Sequence, residues 1–242
     1  MGMKKKVMAA GLAACMGATL IGGATLAYFT DKDERTNSFT VAGADGQPAL
    51  DIVMTETSVE GNGMVAGVAT DDGYKYENIV PGVTYSKNVD VDLGEKSIDS
   101  HLYVELTITN YENLCLATKG IETPGSGPVE NIGKYIVNPH ANLNASKLIA
   151  TKRVESDTPA EDTLSLVFDM GVMDKDTAHV DVFDAVKVPG ELGNEEMKNL
   201  KDGVDLSVKA YAIQKAGRET DEAAEAAAMA EWFTEANGYE PA

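Results

Sequence analysis

Cysteine, histidine and basic side chains are all scarce in this chain of 242 residues. Two cysteines are too few for a disulfide-stapled scaffold. Only 20 Lys and Arg oppose 39 Asp and Glu, so the formal net charge is −19. A chain this acidic lacks the basic surface that binds nucleic acid through its phosphates or an anionic membrane through its headgroups. We therefore expect no nucleic-acid partner, and we expect the charge to favour divalent cations and basic partners.

The three histidines form no recognised catalytic motif. A zinc peptidase of the H-E-x-x-H type carries two histidines one helical turn apart, with a glutamate between them as base. His101, His140 and His179 lie in three separate segments, although a zinc site assembled in space from all three stays open. The sequence also lacks G-x-S-x-G, a P-loop and a dinucleotide fingerprint. It therefore predicts no catalytic residue and no required cofactor.

The N-terminal region has the composition of an export signal. Lysines at 4–6 precede a long uncharged stretch, and small residues occupy the −3 and −1 positions before Tyr28. We predict a signal peptide over residues 1–27, cleaved between Ala27 and Tyr28. Two alternatives stay open. The uncharged stretch is long enough for an uncleaved membrane anchor, and Cys15 ends a lipobox-like LAAC segment at which lipidation would tether the protein.

The predicted mature chain, residues 28–242, carries mainly β signals. Apolar and polar residues alternate over 102–109, as in an antiparallel strand with one buried and one wet face. Turn residues separate further alternating stretches over 49–55, 85–93, 163–170, 180–188 and 204–213. This spacing predicts one mainly β domain over residues 28–242, an antiparallel jelly-roll or β-sandwich.

Helices are expected only at the periphery of the sandwich. Residues 142–150 fit a short helix after a Gly/Pro-rich breaker. Thr220 can cap a C-terminal helix over residues 221–236, since its side chain can accept a hydrogen bond from the first helical turn. We expect Trp232 and Phe233 to dock this helix onto the body of the domain.

One acidic turn is a candidate for a metal site. Asp174, Asp176 and Asp181 lie close together in the sequence, and clustered carboxylates can bind Ca²⁺ through oxygen. The spacing of an EF-hand and its closing glutamate are missing. A solvated acidic turn is the favoured interpretation, so calcium is retained here only as an alternative.

Several segments, in their order along the chain, resemble the TasA/camelysin family of secreted Gram-positive proteins. The start MGMKKK is similar to the start of that family, and the end of the predicted signal peptide is similar to its cleavage region. The other similar segments are early and late strands. The segments are residues 22–31 (GGATLAYFTD), 37–41 (NSFTV), 80–82 (VPG, with Lys87 downstream), 183–189 (FDAVKVP) and 209–214 (KAYAIQ).

The resemblance implies a jelly-roll protein of extracellular biofilm fibres, released by a dedicated signal peptidase. Fibres of that family can grow by donor-strand exchange, in which the mature N-terminal segment of one subunit fills a groove in the next. The matching segment is residues 28–39. Because this segment has few β-branched residues and a charged centre, the resemblance implies Tyr28, Phe29 and Phe39 as its anchors. A solvated N-terminal tail is the alternative.

Two main functions therefore remain, both for a secreted or cell-surface protein, and a third possibility is a monomeric surface protein held by an uncleaved or lipidated N-terminus. The first is a non-enzymatic matrix protein whose partners are its own copies or related matrix subunits, besides the signal peptidase during export. The second is a metalloendopeptidase, because some camelysin-type relatives are described as metalloproteases. Filaments that need the native mature N-terminus would favour the first, and stoichiometric zinc with EDTA-sensitive casein cleavage would favour the second.

Overall fold

A computed structural model describes residues 29–30, 50–70, 73–118, 143, 146–190 and 192–242. The predicted signal peptide and four residues considered above lie outside these ranges: Cys15, Tyr28, Phe39 and His140.

The described residues form a mainly β fold with few helices, which confirms the predicted fold class. The strands are β1 (Phe29–Thr30), β2 (Ile52–Thr57), β3 (Met64–Ala66), β4 (Val68–Thr70), β5 (Gly73–Tyr76), β6 (Thr84–Leu93), β7 (Ser100–Thr109), β8 (Lys147–Val154), β9 (Thr163–Met173), β10 (His179–Lys187), β11 (Val204–Gln214) and β12 (Glu240–Pro241).

The larger sheet has the strand order β12-β8-β9-β7-β11-β1-β5-β4. The pairs β8·β9, β9·β7 and β7·β11 within it are antiparallel. Apolar and polar residues alternate along β11, so one side of the strand faces the core. Val204, Leu206 and Val208 are buried, and the residues between them are partly exposed.

The smaller sheet has the order β10-β6-β2, and all of its pairs in that order are antiparallel. Strand β3 pairs in parallel with Thr84–Ser86 at the start of β6. A turn at Pro81 and Gly82 precedes β6. Gly82 there has φ of 82°, a left-handed conformation that glycine adopts without strain. Its N–H donates to the carbonyl of Val188 at 2.9 Å, which holds the turn against the end of β10.

The two sheets enclose one apolar core. Leu106 and Ile108 of β7 contribute to it from the larger sheet, and Val89, Val91 and Phe183 contribute from the smaller one. Each of these side chains is almost completely buried. Burial of a side chain of this size contributes about 1.5–3 kcal/mol, so the facing sheets supply most of the driving force for folding.

Helices lie at the periphery, as the sequence predicts. Those in the described residues are α1 (Tyr111–Thr118), α2 (Asn194–Asn199) and α3 (Asp221–Glu231), with short 3-10 turns at Pro159–Glu161 and Glu235–Asn237. Thr220 caps α3 by accepting a hydrogen bond from the backbone N–H of Ala223. None of the helices in the described part of the chain is long and apolar enough to cross a membrane.

The C-terminal segment covers the outer face of β7. Tyr103 and Glu105, which the alternation placed on a wet face, are buried there. Phe233 packs on Tyr103, which confirms the predicted docking of the C-terminal helix. The hydroxyl groups of Tyr211 and Tyr239 donate to the two carboxylate oxygens of Glu105 at 2.7 and 2.5 Å. These bonds satisfy a carboxylate that would otherwise be costly to bury.

The expected helix over residues 142–150 is wrong in its second half. Lys147 begins β8, and a register shift between Leu148 and Ala150 interrupts the pairing with β9. Because of this shift, Ile149 and Ala150 are both buried. Two consecutive buried residues disguise the alternation on which a strand prediction depends.

Candidate functional site

The first candidate site is a gap in the larger sheet between β11 and β5, in which β1 lies. Strand β1 pairs in parallel with β11 and antiparallel with β5. Phe29, one of the three predicted assembly residues, is therefore part of an internal strand of the sheet. Only Tyr28 lies between Phe29 and the predicted cleavage site after Ala27, so the strand would begin almost at the mature N-terminus.

The register gives the two residues of β1 different surroundings. Position 29 is paired with Val204 and Tyr76, which are both buried in the core. Position 30 is paired with Asp205 and Lys75, which are polar and partly exposed. Because residues in register share a face of the sheet, position 29 lies on the core-facing side and position 30 on the outer side.

One wall of this gap is anchored to the opposite sheet. The hydroxyl group of Tyr76 on β5 donates to the carbonyl of Ser86 on β6 at 2.5 Å. The Ser58 hydroxyl donates to the same carbonyl and accepts a hydrogen bond from the N–H of Gly67 at 2.8 Å. Gly67 itself faces the Tyr76 ring so closely that an added Cβ would come within 2.8 Å of it. These contacts fix the position of β5.

The second candidate site is a polar cluster on the outer face of the smaller sheet. Asp90 and Asp92 of β6 lie opposite Asp181 and His179 of β10. The His179 imidazole lies between three carboxylates. Its Nδ1 is 2.8 Å from an oxygen of Asp92, and its Nε2 is 3.7 Å from Oδ1 of both Asp90 and Asp181.

The surroundings of this cluster shift the pKa of two members. Burial and the neighbouring Asp181 carboxylate raise the pKa of Asp90 to about 6. The hydrogen bond to Asp92, together with the charges of Asp90 and Asp181, raises the pKa of His179 above its ordinary value. Burial is thus the first cause of the Asp90 shift and the hydrogen bond to Asp92 the first cause of the His179 shift, and the concentrated negative charge raises the pKa of both.

The three acidic residues that the sequence singled out take different positions. Asp181 belongs to the cluster with His179 and Asp90. The Asp174 carboxylate instead accepts hydrogen bonds from the backbone N–H groups of Asp176 and Thr177, both at 2.9 Å. These bonds close the tight turn between β9 and β10, which gives Asp174 a local structural role.

An open acidic pocket of about 620 Å³ borders the cluster. His179 lines it together with Asp169, Asp221 and Glu222. Burial raises the pKa of Asp169, although its carboxylate accepts a hydrogen bond from the N–H of Gly171 at 2.8 Å. The concentration of carboxylates makes this pocket suited to cationic groups.

The histidines do not combine into a peptidase-type centre within the described part of the chain. His101 is buried, and its Nε2 lies 3.0 Å from the carbonyl of Arg218. The cluster of potential metal ligands found among the described residues contains His179 as its single histidine. Among the described residues, the H-E-x-x-H arrangement therefore has no counterpart in space, as it has none in the sequence.

Sequence reasoning missed the importance of Asp90, Asp92 and His179. A signal was present, since Asn88, Asp90 and Asp92 alternate with buried valines, and so does the pair His179 and Asp181. Two strands with polar residues at every second position present a polar stripe on one face. What the sequence did not contain was the register that brings the two stripes together.

Comparison with known proteins gives one match. The family model described as camelysin metallo-endopeptidase matches residues 2–59, which include β1 and β2. Neither a search of curated proteins nor a search of solved structures gave a significant match. The match to residues 2–59 is consistent with the TasA/camelysin resemblance of the sequence, and it identifies the N-terminal part of this chain as similar to the camelysin family.

Proposed function

We propose that this protein is a secreted structural component of an extracellular matrix, which assembles head to tail by exchange of its N-terminal strand. In this proposal, β1 of one subunit leaves its own sheet and occupies the gap between β11 and β5 of the next subunit. The observation that carries the proposal is the position of β1, an internal strand of the sheet that would begin almost at the mature N-terminus.

A strand at a free chain end can be exchanged without unfolding the rest of the sandwich. After cleavage at Ala27, withdrawal of β1 would break its pairing with β11 and β5. The vacated gap would expose unpaired backbone groups on two strands, and these groups favour an added strand from another chain. A contact between an N-terminal strand and a gap elsewhere on the molecule is heterologous, so its repetition produces an open filament unless the rotation closes a ring.

The surroundings of β1 indicate which of its residues anchors the contact. The core-facing position 29 carries an aromatic residue, and the outward-facing position 30 carries Thr. If the parallel register continued, positions 31 and 33 would also face the core, and both are Asp. Because burial of these carboxylates would be costly, we infer that Phe29 is the principal anchor and that the inserted strand is short.

Electron microscopy of the mature chain tests the proposal. Residues 28–242, produced without additional N-terminal residues, are expected to form filaments, and a version that begins at Val41 is expected to stay monomeric. Addition of a peptide with the sequence of residues 28–40 should stop filament growth. The peptide would fill the gap of the last subunit, but it has no gap of its own that could accept the strand of another subunit.

Two matched substitutions separate strand anchoring from general destabilisation. Phe29→Ser removes about 2 kcal/mol or more of burial, which corresponds to an increase of about 30-fold in the concentration needed for assembly. Thr30→Ser at the neighbouring outward position should assemble like the unmodified chain. Equal assembly by both variants, or filaments from the chain that begins at Val41, would refute the role of this segment.

A secreted metalloendopeptidase is the second candidate function. It is favoured by the description of the matched family and by a donor set of one imidazole and two carboxylates. Those residues fit a metal ion, since Oδ1 of Asp90 is buried without a hydrogen-bond partner among the described residues. Casein cleavage that EDTA abolishes and zinc restores would support this candidate. If the zinc-loaded protein does not cleave casein, the peptidase function is excluded and the structural function remains.

A further inference from the structure

We propose that Asp90, His179 and Asp181 form a binding site for a divalent metal ion of the zinc class, on the outer face of the smaller sheet. This site is distinct from the β1 gap and does not depend on strand exchange. The potential ligand atoms of the three residues all lie within 4.8 Å of one another, although they come from two strands that are distant in the sequence.

The spacing of the donor atoms is close to that of a tetrahedral zinc site. Nε2 of His179 is 3.7 Å from Oδ1 of Asp90 and 3.7 Å from Oδ1 of Asp181. Two ligands that each lie about 2.0–2.2 Å from a tetrahedral zinc ion are separated by about 3.4 Å. Small rotations of the side chains would therefore bring all three atoms to coordinating distance.

Neighbouring side chains already orient two of the donors. A carboxylate accepts hydrogen bonds, so Nδ1–H of His179 donates to Asp92, which directs Nε2 toward Asp90 and Asp181. This is the carboxylate–histidine pairing that commonly supports a metal-bound imidazole. Asn88 donates to Oδ2 of Asp90 at 2.5 Å, and Oδ1 is left buried without a hydrogen-bond partner among the described residues.

The chemistry of the donors selects the class of metal. An imidazole nitrogen with two carboxylate oxygens suits zinc, whereas calcium and magnesium prefer oxygen donors throughout. Three protein ligands also leave a fourth position for water or for another ligand. The outer face carries Thr55 of β2 beside Asp90, and the pocket beside His179 is acidic. Among the described residues, the one cation that lines this pocket, Lys147, is paired with Glu225 at 2.6 Å, so carboxylates dominate the charge on that side.

A metal ion here would link two strands. Among the described residues β10 pairs only with β6, so it is an edge strand of the smaller sheet. Coordination by Asp90 from β6 and by His179 and Asp181 from β10 would bind the edge strand to its neighbour. Removal of the metal should therefore lower the thermal stability of the protein as well as empty the site.

Calorimetric titration of the secreted protein with ZnCl₂ and CaCl₂ tests the proposal. We expect one equivalent of zinc to bind, and we expect calcium to bind at least 10-fold more weakly. His179→Gln and Asp181→Asn should each weaken zinc binding at least 10-fold. Asp92→Asn should weaken it about 10- to 100-fold, because it removes the support of the imidazole. Co²⁺ in place of zinc should give visible absorption bands of a tetrahedral site, a readout that needs no enzymatic activity.

The controls are Asp174→Asn and Asp176→Asn, which remove the same charge from the adjacent turn and should bind zinc like the unmodified protein. Circular dichroism identifies any variant that fails to fold. Three results would each overturn the proposal. They are absence of stoichiometric zinc binding, zinc binding that His179→Gln leaves unchanged, and binding of calcium in preference to zinc.

Discussion

The buried ion pair between Lys87 and Glu56 yields a quantitative prediction. Nζ of Lys87 lies 2.7 Å from Oε1 of Glu56, and the two side chains are only 2% and 10% exposed. At this distance, with an effective dielectric constant of about 20, the direct attraction is about 6 kcal/mol. Desolvation of the two ions offsets most of this gain, so the net contribution of the pair to stability is small.

Loss of one partner is more costly, because the other charge stays buried and has lost its ion pair. We predict that Lys87→Met and Glu56→Gln each lower the free energy of unfolding by about 3–5 kcal/mol. The double variant Lys87→Met/Glu56→Leu replaces both charges by apolar groups, and it should lose much less than the sum of the single losses.

Equilibrium unfolding in urea measures these losses, with the fluorescence of Trp232 and circular dichroism as two independent probes. Trp232 is the sole tryptophan of the chain, so its signal reports one place. Single losses below about 1 kcal/mol would mean that the pair behaves like a solvated surface bridge. A double variant that loses the full sum would show that the two charges are not coupled. Either result would refute the reasoning.

Three further predictions concern stability and can be checked by thermal unfolding. Gly67→Ala should cost about 1–3 kcal/mol, because the new methyl group meets the Tyr76 ring. Tyr239→Phe should cost about 1.5–3 kcal/mol by removing a hydrogen bond to the buried Glu105 carboxylate. Burial raises the pKa of Asp169 above its ordinary value of 3.8. Its negative charge therefore destabilises the folded state once the pH rises above 3.8. Asp169→Asn should therefore raise the melting temperature at pH 7 and leave it unchanged below pH 3.8. A melting temperature that differs by the same amount at every pH would show that the buried charge of Asp169 is not the reason.

The long strands could be predicted from the sequence because their alternation is regular. The stretches 85–93 and 204–213 fall within β6 and β11 almost residue for residue. In these strands each side chain is either core-facing or outward-facing, so burial repeats with a period of two. The cap at Thr220 could be predicted for a similar reason, since it depends only on residues close in sequence.

Other elements could not be predicted, because their signals are either short or non-local. Strands β3 and β4 have three residues each, too few for a period to be read. The burial of Glu105 depends on Tyr239, which lies 134 residues away. The cluster around His179 likewise depends on a partner, Asp92, 87 positions away. Registers between distant strands are decided by the packing of the whole sandwich, and a local pattern does not contain them.

The most direct test of strand exchange is a cross-link between two differently marked subunits. One chain carries Thr30→Cys and the other carries Asp205→Cys, both in a Cys115→Ser background. These positions are register partners in the parallel pair of β1 and β11, and neighbouring strands lie about 4.8 Å apart, within the span of a disulfide. Mild oxidation of the mixed chains should give a covalent heterodimer under conditions in which filaments form. A chain that carries both substitutions serves as the control, since it can cross-link within itself. If that chain cross-links internally and the mixed chains give no heterodimer, β1 completes its own subunit, and this result would contradict assembly by strand exchange.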